Sequence, residues 1–290
     1  MKKVLCLLVL LTTCLPGCVF SRNDAPGFGV IYGDDDRTDY YEIKDPLVKA
    51  NADAVGGIYP TFFLINLKNG TYELKTLGSF GEMFKLEDDE RFYDQPIAYP
   101  CTVFLTSPTT IVTAGHCVYP GDRLDLMRIV FGFHMNSESD VNTVIPESQI
   151  FGVKRIIARV LDRESKTDFA VLELDRPCTN IQPVKLAKED IGKGEYVYLI
   201  GYPNGLPLKY APNGWVKKVN SIYFTSSVDS FSGNSGSPIF NKDHEVVGIL
   251  VRGLQDFQEH NGKFRPARVS QYYPTGEDAT NVSVWRKYIK

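Results

Sequence analysis

The stretch Phe231–Pro238 reads Phe-Ser-Gly-Asn-Ser-Gly-Ser-Pro, with three serines and two glycines in eight residues. These are common turn residues, so a polar surface turn is one interpretation. The other is a tight turn that presents one hydroxyl, that of Ser235, for chemistry. A serine hydroxyl is a weak nucleophile without an adjacent base, so the second interpretation requires partners elsewhere in the chain.

Two other stretches contain such partners. Thr113–Cys117 reads Thr-Ala-Gly-His-Cys after an apolar, β-like run, and Thr167–Val171 reads Thr-Asp-Phe-Ala-Val. Each is ambiguous alone, because an isolated histidine is more often structural and an aspartate often serves a turn. Together they give the order His116, Asp168, Ser235, with separations of 52 and 67 residues. This is one of the chain orders in which a Ser-His-Asp triad occurs.

The composition excludes several classes of function. The 290 residues include 32 Lys+Arg and 35 Asp+Glu, so the basic excess that nucleic-acid binding requires is missing. The chain contains no His-Glu-x-x-His and no paired-cysteine motif, and we expect no metal and no cofactor. The length suits one large domain or two small ones.

Strand-forming residues dominate the chain, which has 17 Phe and 16 Tyr. The clearest strand-like runs are Tyr59–Leu67, Thr71–Leu77, Thr102–Thr113, Met127–Phe133, Val153–Val160, Phe169–Leu174, Tyr196–Ile200, Trp215–Phe224, Ser237–Phe240 and Glu245–Arg252. Helical periodicity is clear only at Ala279–Ile289. The pattern predicts an all-β barrel or sandwich with a C-terminal helix. The acidic stretch Val30–Ile43 is predicted to be a solvated loop.

The N-terminus has the features of an export signal, which we assign to residues 1–17. Its apolar run, Val4–Leu15, is too short to span a membrane. The following Leu-Pro-Gly-Cys resembles a bacterial lipobox, and lipid on Cys18 would then be the one attachment to a membrane. An ordinary cleaved signal with a chance cysteine is the alternative. Residues 18–29 follow as a tether or propeptide, so we expect an exported protein, either a periplasmic or cell-surface lipoprotein or a form secreted after processing.

The three motifs together resemble the chymotrypsin-like serine peptidases, and most closely the bacterial glutamyl endopeptidases and their trypsin-like relatives. Matching segments begin at Val30, Gly115, Gly201 and Val228. The similarity covers about nine-tenths of the chain, from Val30 to the C-terminus, and is thin between residues 40 and 100. It implies two perpendicular antiparallel β-barrels. Residues 30–182 would form the first barrel, with the histidine and the aspartate, and residues 183–290 the second, with the serine and the C-terminal helix.

The resemblance also implies a mechanism, that of a serine endopeptidase acting on proteins or peptides through an acyl-enzyme. His116 would take the proton from Ser235, and Asp168 would hold the imidazole in the required tautomer. The N–H groups of Gly233 and Ser235 would form the oxyanion hole. Gly233 suits this turn because it has no Cβ to resist an unusual backbone conformation.

Three of the six cysteines lie in the folded part of the chain, which allows one bridge and one leftover thiol. The resemblance pairs Cys101 with Cys117, and an exported compartment permits the bond. The bridge joins residues 16 apart, and a disulfide that closes a loop of that size contributes about 3 kcal/mol to the free energy of unfolding. Cys178 is then a packed, unreactive thiol.

The substrate pocket predicted from the resemblance does not match the glutamyl endopeptidases fully. Leu250 stands where those enzymes place a histidine that binds the substrate carboxylate, while Arg252 could supply a positive charge or be solvated. Asp229 lies six residues before Ser235, where trypsin-like enzymes carry the aspartate that selects Arg or Lys. The resemblance therefore favours a basic residue at P1, the substrate residue before the scissile bond. The predicted pocket residues are Asp229, Ser230, Leu250, Arg252 and Gly253.

Three hypotheses about function follow from these motifs. The first is the exported serine endopeptidase, which we expect to be a monomer. A non-catalytic binding or adhesion protein on the same fold is the alternative, although such proteins usually lose a triad residue. An acyl hydrolase of the α/β-hydrolase fold would require the order Ser, Asp, His and a Gly-x-Ser-x-Gly turn, which this sequence lacks.

Maturation is predicted to differ from that of trypsin-type zymogens, in which an aspartate before the serine pairs with the new N-terminal amine. That position is Asn234 here, which cannot form an ion pair. We hypothesise that residues 19–29 are a propeptide and that cleavage occurs before Val30. N-terminal sequencing of the active enzyme should therefore begin at Val30, whereas active enzyme carrying only a blocked Cys18 would refute the hypothesis.

Overall fold

The computed structural model describes residues 30–98, 101–119 and 121–289. The expected signal peptide, the tether or propeptide and the candidate lipid site Cys18 lie outside these ranges. Among the residues described, no helix is both long enough and apolar enough to cross a membrane.

Six strands between residues 55 and 174 close into an antiparallel barrel. They are β1 (Val55–Pro60), β2 (Thr102–Ser107), β3 (Thr110–Thr113), β4 (Met127–Phe131), β5 (Ile150–Asp162) and β6 (Thr167–Leu174). Their order around the barrel is β5–β6–β3–β2–β1–β4, and β4 pairs back with β5. Every residue of β3 is buried, which its β-branched sequence Thr-Ile-Val-Thr favours.

A second antiparallel barrel follows in the chain. Its strands are β7 (Tyr196–Gly201), β8 (Lys209–Val219), β9 (Tyr223–Ser226), β10 (Pro238–Asn241), β11 (Glu245–Arg252) and β12 (Glu277–Asn281). They are ordered β11–β10–β7–β8–β9–β12, and the pairing of β12 with β11 closes the ring. The expected all-β fold class with two antiparallel barrels is thereby confirmed.

Shorter elements decorate the barrels. The additional strands are Ile31–Tyr32, Thr38–Asp39, Leu64–Asn66, Thr71–Leu74, Met135–Ser137, Asp140–Val141, Val144–Pro146, Lys185–Leu186, Phe257–His260, Lys263–Pro266 and Arg268–Val269. The α-helices are Pro46–Asp53, Phe80–Phe84 and Val282–Trp285. Phe257–His260 and Lys263–Pro266 pair with each other, and we call them the 257–266 hairpin.

The helical predictions need two corrections. The C-terminal helix is shorter than the predicted Ala279–Ile289, because its first residues belong to β12 and the α-helix spans only Val282–Trp285 before a 3-10 turn. The helices Pro46–Asp53 and Phe80–Phe84 were not predicted. The start of the first is nevertheless encoded locally, since the Asp45 side chain accepts the Leu47 N–H and proline occupies the first turn.

The C-terminal segment packs against the first barrel. Trp285 is fully buried and lies edge-on to Phe104 of β2, with ring centroids 5.8 Å apart. Tyr288 stacks on Phe169 of β6 at 5.7 Å. Aromatic pairs of this kind dominate core energetics, so the end of the chain fixes the two barrels against each other.

The prediction of a solvated loop at Val30–Ile43 is wrong for much of its length. Val30, Ile31 and Tyr32 are buried, and Ile31–Tyr32 pairs in parallel with Arg268–Val269. Two acidic side chains of the segment are buried as well, since Asp35 pairs with Arg37 and Asp39 with Lys209. The charge pattern alone does not reveal this burial.

Candidate active site

His116 and Asp168 meet at the ends of neighbouring strands of the first barrel. His116 lies in a 3-10 turn directly after β3, and Asp168 is the second residue of β6. The His116 Nδ1 atom is 2.7 Å from Asp168 Oδ2. The other carboxylate oxygen, Oδ1, accepts the backbone N–H groups of Gly115 at 2.6 Å and of His116 at 3.1 Å. Asp168 is therefore fixed by several bonds and in turn fixes the imidazole.

The disulfide between Cys101 and Cys117 is present, with a Cα–Cα distance of 6.2 Å. It joins the residue after His116 to the residue before Thr102, the first residue of β2. Cys178 is a free, buried thiol. The expected pairing is thus confirmed.

Thr102 connects the first barrel to the loop Phe231–Ser237, which we call the serine loop. The Thr102 N–H donates to the carbonyl of Ser235 at 2.9 Å. Its hydroxyl donates to the carbonyl of Gly233 at 2.8 Å. The serine of the second barrel is consequently held next to the strand that is bridged to the His116 turn.

The backbone N–H groups of the serine loop divide into two sets. Four of them donate hydrogen bonds: Ser232 to Asp256, Asn234 to Phe231, Gly236 to Leu250 and Ser237 to Asn234. Among the residues the structure describes, the N–H groups of Phe231, at the start of the loop, and of Gly233 and Ser235 donate to none. Gly233 and Ser235 lie in the glycine-rich turn itself. These are the two groups that the sequence predicted as oxyanion donors.

Two glycines of the serine loop have backbone conformations that side chains resist. Gly233 and Gly236 both have φ near +90°. A Cβ on Gly236 would come within 2.1 Å of the Thr102 carbonyl oxygen and 2.3 Å of Thr113 Oγ1. Such contacts cannot occur without moving the backbone of β2, so this position requires glycine.

Four of the five predicted pocket residues line one pocket beside Ser235. The lining residues are Ser230, Phe231, Ser235, Leu250, Arg252, Gly253 and Glu277. The fifth predicted residue, Asp229, is not among them. Arg252 is already ion-paired, with its Nε 2.9 Å from Asp278 Oδ2.

Glu277 is the pocket residue that sequence reasoning missed. It is fully buried, and its Oε1 accepts the Tyr32 hydroxyl at 3.1 Å and the Leu254 N–H at 3.3 Å. Its Oε2 is buried without a partner among the described residues. Burial raises the pKa of Glu277 well above its ordinary range. The only signal in the sequence was an acid at the start of the last strand, which looks the same as a surface acid.

Asp229 lies against the N-terminal segment. Its Oδ1 accepts the Tyr32 N–H at 2.7 Å, whereas Oδ2 is buried and, within the described ranges, unpartnered. Burial raises the pKa of Asp229 to about 8, although the bond from Tyr32 opposes the shift. A second buried acid, Asp256, accepts the Ser232 N–H, and burial raises its pKa to about 7.

Comparison with known proteins agrees with this geometry. Residues 101–249, just over half of the chain, match the family model of the trypsin-like peptidase domain. The structure of a Glu endopeptidase in complex with MPD is similar in fold, with a TM-score of 0.51 and 18% identity over 90% of this chain and 97% of that one. The chain is therefore a serine endopeptidase with a chymotrypsin fold, as its motifs indicated. It belongs to the trypsin-like peptidases.

The raised pKa of Asp229 predicts how stability depends on pH. An aspartate has a pKa of about 3.9 in an unfolded chain, so between that pH and about 8 the folded state holds a proton that the unfolded state has lost. Stability therefore falls as pH rises through this range. Asp229→Asn removes the effect and should raise the free energy of unfolding more at pH 8 than at pH 5, as measured by urea denaturation. The exposed control Asp243→Asn should show no such difference, and an equal effect of Asp229→Asn at both pH values would contradict the prediction.

Proposed function

We propose that this chain is an exported serine endopeptidase that cleaves peptide bonds with His116, Asp168 and Ser235. The observation that carries the proposal is the serine loop itself. The N–H groups of Gly233 and Ser235 have no acceptor among the residues described, and Thr102 connects the loop to the strand that the disulfide joins to the His116 turn. The disulfide between Cys101 and Cys117 supports export, because such bonds persist in oxidising compartments.

The proposed mechanism is that of a Ser-His-Asp triad. Ser235 Oγ attacks the carbonyl carbon of the scissile bond while His116 Nε2 takes the hydroxyl proton. His116 then gives that proton to the leaving amine, and the acyl-enzyme forms. Asp168 accepts Nδ1–H and stabilises the imidazolium during both steps. The tetrahedral oxyanion accepts hydrogen bonds from the N–H groups of Gly233 and Ser235. These groups are available because nothing else in the described chain binds them. Water then attacks the acyl-enzyme by the same route.

The pocket favours a basic P1 side chain. Within the part of the chain that the structure describes, Glu277 presents a buried, unpartnered oxygen in a pocket beside Ser235. Asp229 adds a second acid next to Ser230 of the same pocket. Leu250 offers an apolar wall for the methylene stem of lysine or arginine. The one cation of the pocket lining, Arg252, is neutralised by Asp278. Entry of a cationic side chain would lower the pKa of Glu277 and pair with the carboxylate so formed.

The catalytic assignment is tested with protein beginning at Val30 and its Ser235→Ala variant, each given an unbiased peptide library whose cleavage sites are identified by mass spectrometry. Cleavage by the parent alone is expected. Removal of the nucleophile of such a triad lowers the rate by about 10⁶-fold, which leaves no detectable product. Cleavage by both proteins would contradict the role of Ser235, and the absence of cleavage by the parent would favour a binding protein on this fold.

The P1 preference is tested with Glu277→Gln in the same library. A charged hydrogen bond contributes about 1.5–3 kcal/mol, so the ratio of kcat/KM for Lys or Arg over Leu at P1 should fall by about tenfold or more. Glu259→Gln, an exposed change on the 257–266 hairpin, should leave this ratio unchanged. A parent that prefers Glu at P1 would instead assign the selectivity to Arg252.

A further inference from the structure

The direction of the Gly233 N–H is decided by the peptide bond between Ser232 and Gly233. No cis peptide occurs in the described residues, and in a planar trans peptide the carbonyl and the following N–H point in opposite directions. Whatever holds the Ser232 carbonyl therefore also aims the Gly233 N–H. Rotation of this one peptide would remove a donor from the oxyanion hole without moving Ser235.

The Ser232 carbonyl is held by Asn204. The Asn204 N–H donates to it at 2.5 Å. Asn204 lies in the turn Pro203–Gly205 after β7 and has φ near +51°, a conformation that asparagine tolerates better than most residues. The turn is buried, which fixes the position of the Asn204 N–H. The Gly233 N–H therefore points away from the turn.

Asp256 holds the preceding peptide, Phe231–Ser232, by accepting the Ser232 N–H. The distances from this nitrogen to Oδ2 and Oδ1 are 3.0 and 3.2 Å. Asp256 is 8% exposed, so water does not compete strongly for the same N–H. The two peptide groups of Ser232 are thus both occupied, one by a carboxylate and one by a backbone donor.

The backbone around Asp256 and the 257–266 hairpin that follows it are themselves held in place. The Asp256 carbonyl accepts the Ala267 N–H at 2.8 Å, at the base of the 257–266 hairpin. Phe257 stacks on Phe231, the first residue of the serine loop, with ring centroids 5.5 Å apart. At its tip side the hairpin pairs with residues 85–87, where Glu87 N–H donates to the Phe264 carbonyl at 2.9 Å. These contacts hold the Asp256 side chain at a fixed position beside the serine loop.

We propose that Asp256 is a positioning residue: it fixes the Phe231–Ser232 peptide, while the Asn204 N–H fixes the Ser232–Gly233 peptide. Held on both sides, Ser232 keeps the Gly233 N–H in the orientation that the oxyanion hole requires. Asn234, beside the nucleophile, is neutral, so among the described residues bonded to this loop Asp256 is the one that brings a carboxylate. The inference rests on the proposed function, because it assigns a role in the same reaction.

The test compares the parent with Asp256→Asn, using a peptide with the P1 residue found in the library. The amide has the shape of the acid, but it offers a weaker acceptor and a competing NH2 donor. Loss of one oxyanion donor costs about 10²–10³-fold in kcat, so partial loss of its orientation should lower kcat at least about tenfold while KM changes less than about twofold. Glu259→Gln on the same hairpin should leave both values unchanged.

A matched inhibitor pair separates positioning from general damage. Ser235 adds to the terminal carbonyl of a peptide aldehyde, and the aldehyde oxygen then occupies the oxyanion hole. The corresponding peptide alcohol has a CH2OH group at that position and cannot form this adduct. Asp256→Asn should weaken the aldehyde at least about tenfold and leave the alcohol unchanged.

Equal effects on both inhibitors, an unchanged kcat, or failure of the variant to show a cooperative unfolding transition would each overturn the proposal. The first and third would make Asp256 a general support of the fold. An inactive parent would refute the proposed function instead, so the two failures are distinguishable.

Discussion

The two hydrogen bonds from Thr102 to the carbonyls of Gly233 and Ser235 are the contacts on which the rest of the site depends. The histidine and the aspartate belong to one barrel and the serine to the other, so the geometry of a triad requires a fixed contact between barrels. Thr102 supplies it with both its backbone and its side chain. The close approach of Gly236 to the Thr102 carbonyl explains why the loop must contain glycine there.

The same contacts hold the serine loop in place although the residue before Ser235, the proposed nucleophile, is the neutral Asn234. The carbonyls of the loop are bound in succession by donors from Asn234, Asn204 and Thr102, which come from the loop itself, the second barrel and the first barrel. The N-terminal segment is buried too, with the Tyr32 N–H bonded to Asp229 and its hydroxyl bonded to Glu277. Neutral and carboxylate acceptors, rather than an ion pair at Asn234, therefore hold this region.

The sequence predicted what is encoded in contiguous residues. The motif around His116, the Thr-Asp start of β6 and the Gly-Asn-Ser-Gly turn each contain their own chemistry, so their grouping followed from chain order. Asp256 and Glu277 could not be found in this way. Asp256 reaches Ser232 across 24 residues and Glu277 reaches Tyr32 across 245, and a single acid among many gives no local sign that the fold will bury it. The burial of Val30–Tyr32 was missed for the same reason, because its partner strand Arg268–Val269 is more than two hundred residues away.

Three buried acids now surround the serine loop: Asp229 just before it, Asp256 on its second residue and Glu277 across the pocket. Burial raises the pKa of each, which means that each costs stability at neutral pH. Apolar side chains of similar volume would be expected to stabilise the fold more. Stability does not account for such a cluster, whereas the proposed function gives Asp256 the orientation of an N–H group and Glu277, with Asp229 beside the pocket, the recognition of a cationic side chain. Groups with raised pKa concentrate at functional sites for this reason. Here Asp229 directly precedes Ser230 of the pocket, Asp256 binds Ser232 of the loop, and Glu277 lines the pocket.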